Sequence, residues 1–135
     1  HNPAKIAASI KACQPAGNPL VAWFQPHGYG PTRFIRKELV AEITQSLRPQ
    51  DEIWMSEIYY AGGTAVKDIS AEDIINDLQQ NGMQAHFVGD RTELFRKLIP
   101  KLQKGSILLL MGARDPGLEK FSKTVYEMLD SPAAL

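Results

Sequence analysis

V-A-W-F-Q-P-H-G-Y-G-P-T-R, Val21–Arg33, is the stretch on which the fold turns. Leu20–Phe24 is an unbroken apolar run, the pattern of a strand covered on both faces. It runs into the turn Gln25–Thr32, where Gly28 and Gly30 alternate with Pro26 and Pro31, and a helix is expected to open at about Thr32. Glycine admits backbone angles closed to other residues, and proline fixes φ and restricts the residue before it. The turn carries His27, Tyr29 and Arg33. A strand-to-helix turn of this make-up is where an open α/β sheet places its ligand. The bland alternative is a plain connecting loop with a surface histidine.

Working outward, Asn2 and Pro3 read as a helix cap and first helical residue, and Ile6 and Ile10 lie on one face of a helix over Ala4–Cys13. A helix capped at its second residue is expected to belong to a longer chain. Gln14–Pro19 is a loop. After the turn, Phe34, Ile35, Leu39, Val40, Ile43 and Leu47 follow the helical period up to Pro49. Glu52–Tyr59 (E-I-W-M-S-E-I-Y) is rich in β-formers and predicts a second strand. Tyr60–Ile69, with Gly62-Gly63-Thr64 at its centre, predicts a long loop.

Ser70-Ala71-Glu72-Asp73 has the form of a capping box. Its helix carries Ile74, Ile75 and Leu78 and should stop at Gly82. Ala85–Val88 predicts a third strand. Asp90 starts a helix with Leu94, Phe95, Leu98, Ile99 and Leu102 on one face, which Pro100 should kink or break. Beyond Gly105, Ser106–Met111 is the most apolar strand. The loop Gly112–Gly117 leads to a last helix striped by Leu118, Phe121, Val125 and Leu129. The order α-β-α-β-α-β-α-β-α predicts an α/β domain, a mostly parallel sheet with helices on both faces. The loops after the strands then share one rim: Gln25–Thr32, Tyr60–Ile69, Gly89–Asp90 and Gly112–Gly117.

A chain of 135 residues is expected to form one domain with a sizeable core. Fifteen basic residues balance fifteen acidic ones, so neither a nucleic-acid footprint nor a membrane-surface patch is indicated. The lone Cys13 cannot close an internal disulfide or build a cysteine zinc cluster, and it favours a reducing, cytoplasmic setting. No stretch is long enough to span a bilayer, and no signal-peptide pattern leads the sequence. The three histidines lie far apart without an i,i+4 pair, so no metal site is predicted. His86 reads as structural. There is no phosphate loop, G-x-G-x-x-G fingerprint or G-x-S-x-G elbow, so residues that bind a nucleotide cofactor are not identified.

Four segments, in order, resemble the Mur ligases. Phe24–Arg33 is similar to their F-Q-P-H-R-Y-T-R-T stretch, most closely in the branch that adds L-alanine to UDP-N-acetylmuramate. His1-Asn2-Pro3 is similar to the H-H-P or H-N-P that opens the Mur C-terminal domain. Ile58–Gly63 is similar to Y-A-A-G-E, and Met111–Asp115 to M-G-A-G-D. The murein tripeptide branch usually has E-P-R where this chain has Gln25-Pro26-His27, a weaker match. The resemblance implies a Rossmann-like fold. It also implies the closing domain of a three-domain enzyme that receives an amino acid or peptide. In that enzyme a UDP-muramoyl carboxylate is activated as an acyl phosphate by ATP and magnesium, bound mainly by a central domain. The amine then attacks, in peptidoglycan synthesis or recycling. The partners it implies are the two small substrates and the N-terminal and central domains, with neither nucleic acid nor membrane.

Carried over residue by residue, the resemblance places His1 and His27 at the reacting groups. Asn2, Tyr29, Thr32 and Arg33 fall on substrate-side positions. The two arginines that would hold an alanine carboxylate fall on Gly28 and Pro31. An arginine fork is hard to replace for that purpose. Either the acceptor is not L-alanine or another cation, Arg33 or Arg114, takes the role. Two other readings remain: a ligase of the same family acting outside peptidoglycan, and a non-catalytic α/β small-ligand-binding module. Asp90 and Asp115 are too isolated to form the acidic pocket of a receiver-like module.

Overall fold

A computed structural model of the protein describes residues 2–60, 62–102, 104–112, 120, 122–124 and 126–127. Its elements are α1 (Pro3–Cys13), β1 (Leu20–Gln25), α2 (Tyr29–Ser46), β2 (Glu52–Met55), α3 (Ala71–Gln80), β3 (Gln84–Phe87), α4 (Arg91–Leu98), a 3₁₀ turn (Ile99–Lys101) and β4 (Ile107–Gly112). Residues 120, 122–124 and 126–127 are helical. The expected stripe of that last helix, Leu118, Phe121, Val125 and Leu129, lies outside the described residues.

The four strands form one sheet in the order β3-β2-β1-β4, and every pair is parallel. The chain steps outward from β1 to β2 to β3, then returns across the sheet to lay β4 on the other side of β1. Alternation along β1 divides the core. Leu20, Ala22 and Phe24 face a cluster with Ile6 and Ile10 of α1, Leu39 and Ile43 of α2, and Ile74 and Leu78 of α3. Val21 and Trp23 face a second cluster with Trp54, Leu94 and Leu98 of α4. Helices therefore cover both faces, as the alternating order predicts. The change of face falls where the chain reverses direction along the sheet, as a constant crossover hand requires.

Local chemistry explains the boundaries. The Asn2 side chain accepts from the amides of Ala4 (2.9 Å) and Lys5 (3.3 Å), and Pro3 starts α1. The capping box at Ser70 is closed: the Ser70 amide donates to Asp73 (2.9 Å) and the Ser70 hydroxyl accepts from the Glu72 amide (3.1 Å). Gly82, at φ +82°, follows the end of α3. Pro100 ends α4 as expected, and the backbone tightens into the 3₁₀ turn there.

Three expectations are corrected. Helix α2 opens at Tyr29, not Thr32. Gly28, at φ +78°, makes the turn, and Pro31 fits the first helical turn, where amides lack intrahelical partners anyway. Phe34 is 90% exposed instead of joining the apolar face of α2. It is nine residues from Ile43, about 180° round a helix of 3.6 residues per turn. Strand β2 stops at Met55, because Ser56 turns to accept from the buried Trp23 Nε1 (2.9 Å). Strand β4 is the most apolar strand, as expected, and it is less buried than β1. Among the described residues it pairs only with β1, and its side chains are largely half-buried.

Candidate functional site

Past the ends of β1 and β2 the two strands meet once more. The Gly28 amide donates to the Tyr59 carbonyl and the Tyr59 amide to the Pro26 carbonyl, both at 2.8 Å, making an isolated parallel bridge between His27 and Tyr59. From Phe24 to His27 is three residues; from the paired Met55 to Tyr59 is four. The extra residue bends the β2 side outward, as a bulge does. It sends Glu57 to the start of α3, where its carboxylate accepts from the Ala71 amide (2.9 Å) and the Ser70 hydroxyl (2.7 Å). An acid at a helix N-terminus is favoured by the unsatisfied amides and the helix dipole. One side chain thereby ties the rim to the third helix.

The result is a groove of about 490 Å³ along the carboxyl ends of β1, β2 and β3. Gln25, Ser56, Glu57, Tyr59, Lys67 and Asp90 are among its lining residues. A smaller cavity of about 250 Å³ opens on the other side of β1, where Asn2 and, from α1, Lys5 and Ser9 meet Phe24, Met111 and Gly112. The β1–β4 gap is the point where the strand order reverses, and such crevices at strand carboxyl ends are where open α/β sheets bind ligands.

The candidate residues divide between these places. The ring of His27 lies 5.4 Å from that of Tyr59, tilted by 33°. Tyr29 begins α2 with its ring edge-on to Tyr60, centroids 5.2 Å apart. The Lys67 ammonium lies over both rings, 5.0 Å from the Tyr60 centroid and 6.0 Å from that of Tyr29. Arg33 directs Nε (2.8 Å) and Nη2 (2.6 Å) at Asp68 Oδ1, and Nη2 also donates to the Val66 carbonyl (3.1 Å). The fork expected to be available for substrate is thus engaged by the β2–α3 loop. Thr32 is fully buried, and its hydroxyl has no hydrogen-bond partner among the described residues. Asn2 spends its side-chain oxygen on the α1 cap while lining the smaller cavity. His1 and Arg114 lie outside the described residues.

Gln25 and Gly112 are register partners, so the His27 turn and the end of β4 occupy the same rim. His86 is structural, as expected: its Nε2 is 3.0 Å from Glu52 and its ring packs against that of Trp54, tilted by 35°. Among the described residues no group of three His, Cys, Asp or Glu side chains could hold a metal ion. No sequence pattern singles out Glu57, Lys67 or Asp68 as site residues. Glu57 is hidden inside an apparent strand, and nothing local marks Lys67 and Asp68 as neighbours of residues more than thirty positions earlier.

The family model described as "Mur ligase, glutamate ligase domain" matches residues 1–114. The chain is similar to the UDP-N-acetylmuramate–L-alanine ligase of Geobacter sulfurreducens, 34% identical over 117 residues, covering 84% of this chain and 24% of the relative. The enzyme of that name from Geobacter sp. strain M21 is 33% identical over 116 residues, with the same coverage. That of Sorangium cellulosum is 30% identical over 120 residues, covering 85% of this chain and 25% of the relative. The chain spans about a quarter of the length of these relatives.

Proposed function

The chain belongs to the Mur ligase family, matching its glutamate ligase domain, and from that premise we propose that it is the acceptor-receiving and closing domain of a larger ATP-dependent ligase. The enzyme joins the amine of an amino acid or peptide to a UDP-N-acetylmuramate-type carboxylate, in peptidoglycan synthesis or recycling in the cytoplasm. The carboxylate is first converted to an acyl phosphate; the amine attacks it, and phosphate leaves. The observation that carries this reading is the placement of the family-like Phe24–Arg33 segment at the end of the central strand, with the polar groove beside it.

In this proposal His27 and His1 stand near the reacting groups and orient the amine or the departing phosphate. Asn2, Tyr29, Thr32, Arg33 and Arg114 form the substrate side, Arg33 indirectly, through the pairing with Asp68 that fixes the β2–α3 loop. Thr32 acts from beneath the surface, supporting the turn rather than touching solvent. ATP and magnesium are assigned to the central domain of the parent enzyme, as the family likeness implies, the 135 residues holding no phosphate loop. Closure of this rim onto that domain assembles the site and excludes water.

The test uses the complete gene product with ATP, magnesium and UDP-N-acetylmuramate. L-alanine, the other proteinogenic amino acids and the murein tripeptide are offered in turn as acceptors. Acceptor-dependent phosphate release and a new amide by mass spectrometry are expected for at least one. Substituting His27→Ala should slow amide formation about a hundredfold, the order carried by a positioned proton-transfer group, and leave the circular dichroism unchanged. An enzyme that joins none of these acceptors overturns the proposal.

A further inference from the structure

Building on the ligase reading, we propose that Lys67 anchors the carboxylate of the acceptor in the groove at the ends of β1, β2 and β3. A carboxylate held in such a groove needs a cation with hydrogens to spare. The arginines of α2 and the following turn are committed elsewhere. Arg33 is paired with Asp68, Arg36 with Asp77 (2.7 Å), and Arg48 with Asp51 at the opposite end of the sheet. Arg96 lies beside Glu93 on α4.

Lys67 differs from them. It lines the groove and has no carboxylate within ion-pair distance among the described residues. Its charge rests over the faces of Tyr60 and Tyr29. Aromatic faces attract an ammonium without using up its three hydrogen-bond donors. The adjacent acid, Asp68, is neutralised by Arg33 and does not quench it. The groove's own acids are also engaged. Both Glu57 oxygens accept hydrogen bonds, and Asp90 accepts from the Glu93 amide at the start of α4.

The loop that carries Lys67 is held in place. The Tyr60 hydroxyl accepts from the Ala65 amide (2.9 Å), and Gly63, at φ +128°, allows the chain to fold down on that ring. A Cβ at Gly63 would stand 3.3 Å from the Tyr60 hydroxyl oxygen. The ammonium supplies a positive charge on a rim where Gly28 and Pro31 carry none. Lysine offers a point charge instead of a fork, so it selects for the acceptor's charge more than for the angle of its carboxylate.

Lys67 is exposed on the loop, so its replacement leaves the core untouched. Lys67→Met and Lys67→Arg are made in the complete gene product. KM is measured for whichever acceptor of the panel above turns over fastest. Lys67→Met should raise that KM about ten- to a hundredfold, what one hydrogen bond to a charged group carries. The kcat and the KM values for ATP and UDP-N-acetylmuramate should stay within twofold, and Lys67→Arg should recover most of the loss. An amine analogue lacking the carboxylate should be used equally poorly by wild type and Lys67→Met. A working ligase whose acceptor KM is unchanged in Lys67→Met overturns the assignment. So does a rise confined to the KM of ATP or of the nucleotide sugar, which places Lys67 on a phosphate. A wild-type enzyme that joins no acceptor overturns the ligase reading itself.

Discussion

At the residue scale, Asp51 closes the end of the sheet opposite the groove. It is 1% exposed. Its carboxylate accepts from the Leu20 amide (2.9 Å), the Arg48 amide (2.9 Å) and guanidinium (3.0 Å), and Gln14 Nε2 (3.0 Å). One side chain thus joins the start of β1, the turn before β2 and the end of α1. Burial pushes this carboxyl up, but the Arg48 guanidinium and the two amides outweigh it and hold the group below the ordinary carboxylate value. A depressed folded pKa contributes stability that is present above the unfolded value of about 3.8 and is lost as pH falls through the folded value. Asp51→Ala should cost about 2 kcal/mol at pH 7, since the buried Leu20 amide loses its partner. The gap between wild type and variant should shrink as pH drops below 4, in urea melts at a series of pH values. Gaps unaltered between pH 7 and pH 2.5 would refute this account. Nothing in the sequence distinguishes Asp51 from a turn aspartate; beyond Arg48, its partners lie 31 and 37 positions away.

At the element scale, periodicity locates helices well and their exposed edges less well. The stripe Leu39, Val40, Ile43 and Leu47 is buried as read, while Phe34 stands in solvent at the rim end of α2. Leu39→Ala should cost about 3 kcal/mol through lost burial and the cavity left behind. Phe34→Ser should stay within about 0.5 kcal/mol, as surface changes do. Denaturant midpoints of the two variants check the assignment, and a large loss at Phe34 would reverse it. Strand β2 shows the opposite error. Its β-forming composition continues to Tyr59, but the strand ends at Met55 because Ser56 and Glu57 have distant hydrogen-bond partners in Trp23 and Ser70. Propensity describes what a segment tolerates, and those side-chain bonds decide where its pairing stops. The caps at Asn2, Ser70 and Asp90 were legible because each is made within three residues of its own amide targets.

For the whole molecule, the arrangement is a scaffold that gathers post-strand turns on one rim, with the groove on one side of β1 and the smaller cavity on the other. On the proposed reading, this rim is one part of the ligase site. The chain lacks a phosphate loop, and the relatives are about four times longer. The 135-residue chain alone should therefore release no phosphate from ATP with UDP-N-acetylmuramate and the acceptor panel, in an assay where the complete gene product does. Turnover by the 135-residue chain would show that the chemistry is housed within it.

The order of strands and helices, the parallel sheet and the caps follow from short-range pattern, since hydrophobic period and capping chemistry act within a few residues. The F-Q-P-H segment likewise carries its family likeness in one continuous stretch. Tertiary structure alone decided that Arg33 is engaged by Asp68, that Glu57 leaves its strand to hold α3, and that Lys67 reaches the groove. A charge is free or spent according to what the fold brings within about 3 Å of it, and that distance is set between elements far apart in the chain.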